Sequence, residues 1–258
     1  MNANDVGFET DAPDGYSALF QVRGAPYDRA MALHPDARRE EFMQAIGRAA
    51  LFPGATVADV PAGGGYLARY LPPECRWLGH EPCASFVGAD RSKNVPLLPL
   101  PWIDGQADAA ISIAGVHHLS EKAPLFAELA RVVRPGGRLV LSDVHEGSRP
   151  ARFLDGFVDR HNSTGHVGDY LGEHTLVELR KAGWTVISHE RVAFHWRFNN
   201  PHDMAAFCYQ MFDLRTSSPE ETARTIEAQL GFDRDSGGVG MRWELYTVVA
   251  TPAAAKQP

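Results

Sequence analysis

Cysteine is scarce in this 258-residue chain: Cys75, Cys83 and Cys208 are odd in number and form no C-x-x-C pair. That argues against a disulfide framework or a zinc knuckle and suits a reducing, cytoplasmic setting. Long apolar runs are missing as well. None approaches the roughly 20 residues needed to cross a bilayer, so no membrane partner is expected. Asp5, Glu9, Asp11 and Asp14 leave the first residues without the basic and apolar pattern of a signal peptide. Positive charge is also in deficit: 25 Lys and Arg face 32 Asp and Glu, a formal charge of −7. That balance argues against a nucleic-acid partner, although it does not exclude a local basic patch. No internal repeat is visible. The apolar share of 44% is enough to bury a large core in one domain of this length.

What the chain does have is Thr56-Val57-Ala58-Asp59-Val60-Pro61-Ala62-Gly63-Gly64-Gly65-Tyr66-Leu67-Ala68. A β-branched run ends in an aspartate, three glycines follow, and Tyr66 to Tyr70 is helix-compatible. The pattern predicts a strand, a tight turn free of Cβ atoms, and a helix start, a place where a ligand can press on bare backbone. Gly63-x-Gly65-x-x-Ala68 satisfies a dinucleotide fingerprint, in which glycines hold a pyrophosphate. The acidic residue closing the strand points elsewhere. Val57 to Gly65 resembles the first motif of the class I S-adenosylmethionine-dependent methyltransferases, an apolar strand, an Asp or Glu, then Gly-x-Gly-x-Gly. Pro61 stands in the first glycine position, stiffening the turn and removing one N–H.

The resemblance extends along the chain. Trp77 to Glu81 reads as a second strand, and Glu81 stands where that family places the acid that accepts from both ribose hydroxyls. A carboxylate offers paired acceptors to a cis-diol. Read alone, Glu81 is better taken as a solvated strand-end glutamate; together with Asp59 and the glycines it is better taken as the ribose acid. Cys83 to Asn94 has room only for a stunted helix before the apolar stretch Val95 to Leu98. Leu98 to Asp108 resembles the family's "LPFPDGSFD" stretch, with two residues inserted. No acid stands ready for the adenine amino group, so adenine contacts are expected from backbone and apolar groups around Leu97 and Leu98. Ala109 to Ala114 reads as a strand buried on both faces, and Gly115 to Leu119 resembles the "HHL" segment of the ubiquinone- and menaquinone-type branch. His117 is the candidate general base, its ordinary pKa lying near neutrality; capping or backbone satisfaction is the competing role and the favoured one for His118. The amphipathic stripe Leu125 to Val133, the break at Pro135-Gly136-Gly137 and the strand Arg138 to Asp143 resemble an architectural unit of the family.

Outside that span the reading rests on pattern. Residues 1 to about 26 are polar and turn-rich, with Tyr16, Phe20 and Tyr27 either covering a pocket or anchoring the segment. Pro35 to Leu51 has helical spacing. His145 to His174 is dense in histidine and carboxylate, including Asp155, Asp159, His161, His166, Asp169, Tyr170 and His174. Substrate hydrogen bonding ranks first there, a structural polar loop second and metal third, since no ligand pair is spaced on one helix face. Helix Thr175 to Ala182 stops at Gly183, and a strand follows from Trp184 toward Phe198. Asn200-Pro201-His202-Asp203 and Ser218-Pro219-Glu220-Glu221 open two capped helices; Asp233 to Gly238 reads as a flexible turn and Met241 to Ala250 as the last strand.

The expectation is one α/β domain over 1–258, a Rossmann-like seven-stranded, mostly parallel sheet with helices on both faces. Residues 1–52 would form an N-terminal cap, 53–144 the cofactor core, 145–174 a substrate-side insertion, and 175–258 the C-terminal half with a helical lid at 200–231. The resemblance implies methyl transfer from S-adenosylmethionine to a small molecule. It implies cofactor contacts at Asp59, Ala62, Gly63, Gly65, Glu81, Pro82, Leu97, Leu98 and Ala114; the residue pattern outside the resemblance gives the expected substrate contacts, Tyr27, His161, His166 and Tyr170. No metal is expected. Rival readings are rearrangement or cyclisation around the same cofactor, nicotinamide-dependent oxidoreduction, and non-catalytic binding. Sequence leaves the oligomeric state open.

Overall fold

The computed structural model describes residues 15–86 and 94–254. The acidic first residues and most of the stretch read as a stunted helix lie outside them. Four strands, β1 (Thr56–Asp59), β2 (Arg76–Gly79), β3 (Ala107–Ile113) and β4 (Val133–Asp143), pair in parallel in the order β2-β1-β3-β4. The sheet continues through β7 (Gly238–Pro252), antiparallel to β4, and then β5 (Trp184–Phe198); β6 (Phe232–Asp235) also pairs with β7. Among the described strands β7 alone is reversed, so the expected mostly parallel α/β sheet is present.

Successive residues of the central strands feed two separate cores, as a period of two requires. Val57, Ile111 and Val140 join one cluster with α2 (Arg39–Ile46), α4 (Arg149–Phe153) and α7 (Pro201–Met211). Ala58, Ala110, Leu139 and Leu141 join the other, with α3 (Ala123–Val132) and α6 (Glu173–Lys181). The strand order places β2 and β3 on opposite sides of β1. Open α/β sheets bind ligands in the crevice at such a switch point, beyond the carboxyl ends of the strands. The glycine turn leaves β1 there.

Two local expectations change. The stretch up to about residue 26, expected to be polar and turn-rich, is helical from Gly15 onward as part of α1 (Gly15–Leu33), despite Pro26 inside it. Tertiary burial overrides propensity: Tyr16 and Phe20 enter one core cluster and Ala30 and Met31 the other. Gly24 permits the approach, because a Cβ there would lie 2.2 Å from Ser85 Oγ. The apolar stretch Val95 to Leu98 is irregular, and His80 Nε2 reaches the carbonyls of Pro96 and Leu97 at 3.1 and 3.0 Å. The flexible turn expected at Asp233 to Gly238 contains β6, where Asp233 accepts from Arg242 Nε at 3.0 Å and contacts His195 Nε2 at 2.9 Å. Such cross-strand pairing leaves no periodic trace in sequence.

Both caps of the C-terminal helices form as read: Asn200 accepts from Asp203 N–H at 2.9 Å and Ser218 Oγ from Glu221 N–H at 3.2 Å, ahead of α7 and α8 (Pro219–Gln229). The largest fully buried side chain is Trp184, whose Nε1–H donates to Phe126 O at 2.9 Å and joins β5 to α3. Trp184→Ala opens a cavity and orphans that carbonyl; the expected loss is about 3–5 kcal/mol of unfolding free energy. Urea unfolding of the folded protein measures it, and a loss under about 1 kcal/mol would contradict the packing described.

Candidate functional site

The turn after β1 is built by positive backbone angles at Gly63 (φ 53°) and Gly65 (φ 76°), a region that L side chains rarely adopt. The helix that follows is a short 3₁₀ element over the expected residues, Tyr66–Tyr70. Gly64 has a different reason: a Cβ there would lie 2.5 Å from Asp28 Oδ1, an atom of α1 that accepts from Tyr66 O–H at 2.7 Å. Helix α1 therefore lies directly over the glycine turn. Pro61 occupies the first glycine position and packs against Gly115, where a Cβ would come within 2.6 Å of Pro61 Cγ.

Two carboxylates stand behind the turn. Asp59 is buried and accepts from Trp77 Nε1–H at 3.0 Å. Burial pushes its carboxyl up to about 7, with the Trp77 bond opposing and the Glu81 charge adding. Glu81, also buried, accepts from Gly63 N–H at 2.7 Å and Tyr16 O–H at 2.8 Å through Oε2, and from Cys83 N–H at 2.8 Å through Oε1. Burial raises it as well, and those donors oppose the rise. A cavity at this point is lined by Asp59, Ala62, Gly63 and Ala114, with Tyr16, Phe20, Tyr27 and Arg38 on its outer side. Leu97 is buried and Leu98 half-buried at the edge of the second core cluster. Gly65, Glu81, Pro82, Leu97 and Leu98 are not part of this cavity's lining.

A second chamber adjoins the first and shares Phe20, Tyr27, Arg38 and Ala114 with it. Its polar wall is His117, His118, His166 and Arg23; its apolar wall includes Trp196, Met211, Phe212 and Trp243. Ala114, in the left-handed region at φ 48°, turns the chain from β3 toward the histidines. His117 Nδ1 lies 2.6 Å from Asp143 Oδ1 at the end of β4, and His117 N–H donates to Asp143 Oδ2 at 3.1 Å. Burial alone would raise Asp143, but His117 and the surrounding N–H groups hold it below the usual carboxylate range. With Asp143 ionised, Nδ1 of a neutral imidazole carries the proton and Nε2 keeps the lone pair.

His118 and His166 are held toward the neutral form. Burial is the main cause for His118, followed by the charges of His117, His166 and Arg23. For His166 burial is again first, opposed by Asp155 and reinforced by His117 and Arg23. The strap that carries His166 is fastened by Asp169 N–H donating to His117 O at 2.9 Å and by the Lys122–Asp169 pair at 2.9 Å. One ligand atom from each of the three histidines lies within 4.8 Å of the others.

The expected site residues divide accordingly. Tyr27, His117 and His166 come together in the chamber. Tyr170 stands just behind, its ring 5.8 Å from His117 and its O–H donating to Asp155 at 2.5 Å. His161, at the end of α5 (Asp159–His161), does not join them: its ring packs on Phe157 and its Nδ1 meets Thr216 Oγ1 at 2.9 Å. Arg23 and His118 are additions. Asp143, read as the end of an architectural strand, instead holds His117. A helix over residues 15–33 would have been needed to bring Arg23 inward, and the sequence there carries no apolar periodicity.

The Asp59 carboxyl supplies a pH test. A folded-state pKa raised from 3.8 to about 7 means that folding favours the proton. The corresponding stability is complete below about pH 4 and lost as pH rises through about 7. Asp59→Asn cannot titrate. The stability of the natural chain relative to this variant is therefore expected to fall between about pH 4 and 7, as read from urea midpoints. A difference that stays flat across this window contradicts the buried, proton-favouring environment.

Comparison with known proteins agrees with the geometry. Residues 58–141 match the methyltransferase domain family. Demethylmenaquinone methyltransferase of Corynebacterium kroppenstedtii is 35% identical over 97 residues, covering 35% of this chain and 42% of that protein. Probable tRNA methyltransferase 9B of Bos taurus is 36% identical over 97 residues, covering 34% and 21%. The chain thus spans less than half the length of these relatives. Among solved structures, geranyl diphosphate methyltransferase in complex with S-adenosylmethionine superposes with a TM-score of 0.53 at 15% identity, covering 84% of this chain and 87% of that one. The [4+2]-cyclase SpnF superposes with 0.55 at 16% identity, covering 94% and 98%. No described helix is long and apolar enough to cross a membrane. By its domain match over residues 58–141 and by its fold, the chain is similar to the class I S-adenosylmethionine-dependent methyltransferases.

Proposed function

We propose that the chain transfers a methyl group from S-adenosylmethionine to a small-molecule acceptor seated in the histidine chamber. The observation that carries this reading is the junction of the two cavities at Phe20, Tyr27, Arg38 and Ala114. A ligand at the glycine turn would face a ligand among the histidines across that junction.

The donor set at the turn fits the cofactor. Glu81 would hold the ribose diol, Gly63 and Gly65 would give clearance, Asp59 and Ala62 would line the amino-acid end, and Pro82, Leu97 and Leu98 would flank adenine. When bound, S-adenosylmethionine supplies an electrophilic methyl group and departs as S-adenosylhomocysteine. The chain's own part is alignment, exclusion of water and removal of the acceptor's proton. His117 Nε2 would take that proton while Asp143 holds the ring and balances the imidazolium, the second histidine–carboxylate task beyond orientation. Helix α7 packs on α1, and Met211 together with Phe212 just beyond it supplies chamber wall, which suits the two C-terminal helices to a lid over the acceptor. A chamber lined by an aromatic wall and a net negative chain favour a small acceptor over RNA. The same fold in a cyclase favours one second reading, cyclisation with the cofactor as an electrostatic aid; cofactor recovered intact after turnover would select it.

A carboxylate has about four acceptor positions, and three on Glu81 already have donors, one of them Tyr16 O–H. Two diol donors therefore need Tyr16 to yield. Calorimetric titration with S-adenosylhomocysteine should show micromolar binding, weakened on the order of tenfold or more in Glu81→Ala and tightened about fivefold in Tyr16→Phe. No binding by the natural chain would remove the cofactor assignment.

The proton-transfer role has its own readout. With an accepted substrate, His117→Ala should slow single-turnover methyl transfer on the order of 10²-fold, and Asp143→Asn should lower kcat and shift its pH profile while leaving cofactor affinity unchanged. Unaltered transfer in His117→Ala would refute the base assignment.

A further inference from the structure

Arg23 is a charged group of the chamber to which the cofactor reading gives no role. It is buried to 3% exposure, and neither Nε nor Nη1 has a hydrogen-bond partner among the described residues. A guanidinium cannot shed its charge to relieve this: burial lowers its pKa to about 10, with the Asp213 charge opposing, and at neutral pH it stays protonated. Asp213 is spoken for, since it pairs with Arg215 at 2.6 Å and accepts from Ser163 at 2.5 Å. The other cation of the chamber is also committed: Arg38 binds Glu41 through two bonds of 2.8 and 2.5 Å. An unpartnered buried charge is costly, and the cost is removed by an anion that enters the cavity with it.

We propose that the acceptor is an organic carboxylate, anchored by Arg23, whose apolar body lies against Phe20, Trp196, Met211 and Trp243. The inference rests on the methyl-transfer reading only for the word acceptor; the anion site stands on Arg23 and the chamber. One guanidinium among imidazoles held toward neutrality suits a single negative charge. A phosphate dianion would want a second free cation, which Arg38 does not offer. A divalent metal on the three histidines is the competing occupant, and Arg23 weighs against it, because a dication there would face an unpaired buried positive charge. An aromatic acid satisfies both walls at once: charge-assisted bonds at Arg23 and area at the indoles.

The test is calorimetric titration of the full chain, with and without saturating S-adenosylhomocysteine. The probes are benzoate, phenylacetate, 3-phenylpropionate, 4-phenylbutyrate and indole-3-acetate, each against its uncharged amide, with phenyl phosphate and zinc chloride as separate arms. At least one acid should bind about tenfold or more tighter than its amide. Arg23→Gln should abolish that preference and Arg23→Lys restore part of it, with S-adenosylhomocysteine affinity unchanged in both. Acids that bind no better than their amides overturn the proposal. So does phenyl phosphate outcompeting every carboxylate, or stoichiometric zinc binding that is lost in His166→Ala. Equal loss of S-adenosylhomocysteine in Arg23→Gln would assign Arg23 to the cofactor's own carboxylate and also overturn it. Should the natural chain fail to bind S-adenosylhomocysteine, the methyl-transfer reading falls, while the acid-against-amide comparison without it still decides the anion site.

Discussion

One buried carboxylate holds the site in its shape. Glu81 joins three segments far apart in sequence: its own strand end, the glycine turn through Gly63 N–H, and the N-terminal helix through Tyr16 O–H. Removing a carboxylate from water is unfavourable unless donors replace the lost hydration, and these donors do so. The same arrangement makes α1 part of the pocket. Asp28 and Tyr66 reinforce it over Gly64, and Phe20 and Tyr27 then stand between the glycine turn and the histidines. The position of α1 decides the form of both cavities.

Charge is distributed unevenly across the two cavities. At the glycine turn the buried acids are Asp59 and Glu81, and burial shifts each toward its protonated form, the Glu81 charge adding to the shift at Asp59. A positively charged sulfonium ligand nearby would be favoured by such a pair. In the neighbouring chamber the acid is Asp143, already engaged by His117, and the uncompensated charge is Arg23. Two cavities of opposite electrostatic character, meeting at Ala114, suit a cationic donor and an anionic acceptor.

Much of this was legible in the amino-acid order. The glycine turn, Asp59, the parallel strands and the capped C-terminal helices announce themselves through local rules: positive φ needs glycine, buried strands need continuous apolar residues, and caps need Asn or Ser. Those rules act over a few residues, and so the Thr56 to Asp143 core could be read directly, whereas Glu81, a solvated strand end when read alone, is buried beneath donors from the glycine turn and α1. His117 and His166 were recognisable as chemistry-bearing residues by type. His161, of the same type and in the same segment, turns away to Thr216, because a helical run from Arg149 to His161 sets its direction and sequence spacing does not reveal that.

What the sequence by itself determined is therefore the sheet, the turn and the kind of cofactor the turn suits. Only the tertiary structure decided which distant groups meet. Helix α1 forms because two cores bury its ends, not because its residues prefer a helix, and only in that helix does Arg23 point into the chamber. Asp143 finds His117 because β3 and β4 are neighbours whose carboxyl ends open on the same crevice. Long-range packing, worth more than local propensity over such segments, set the acceptor side of the site.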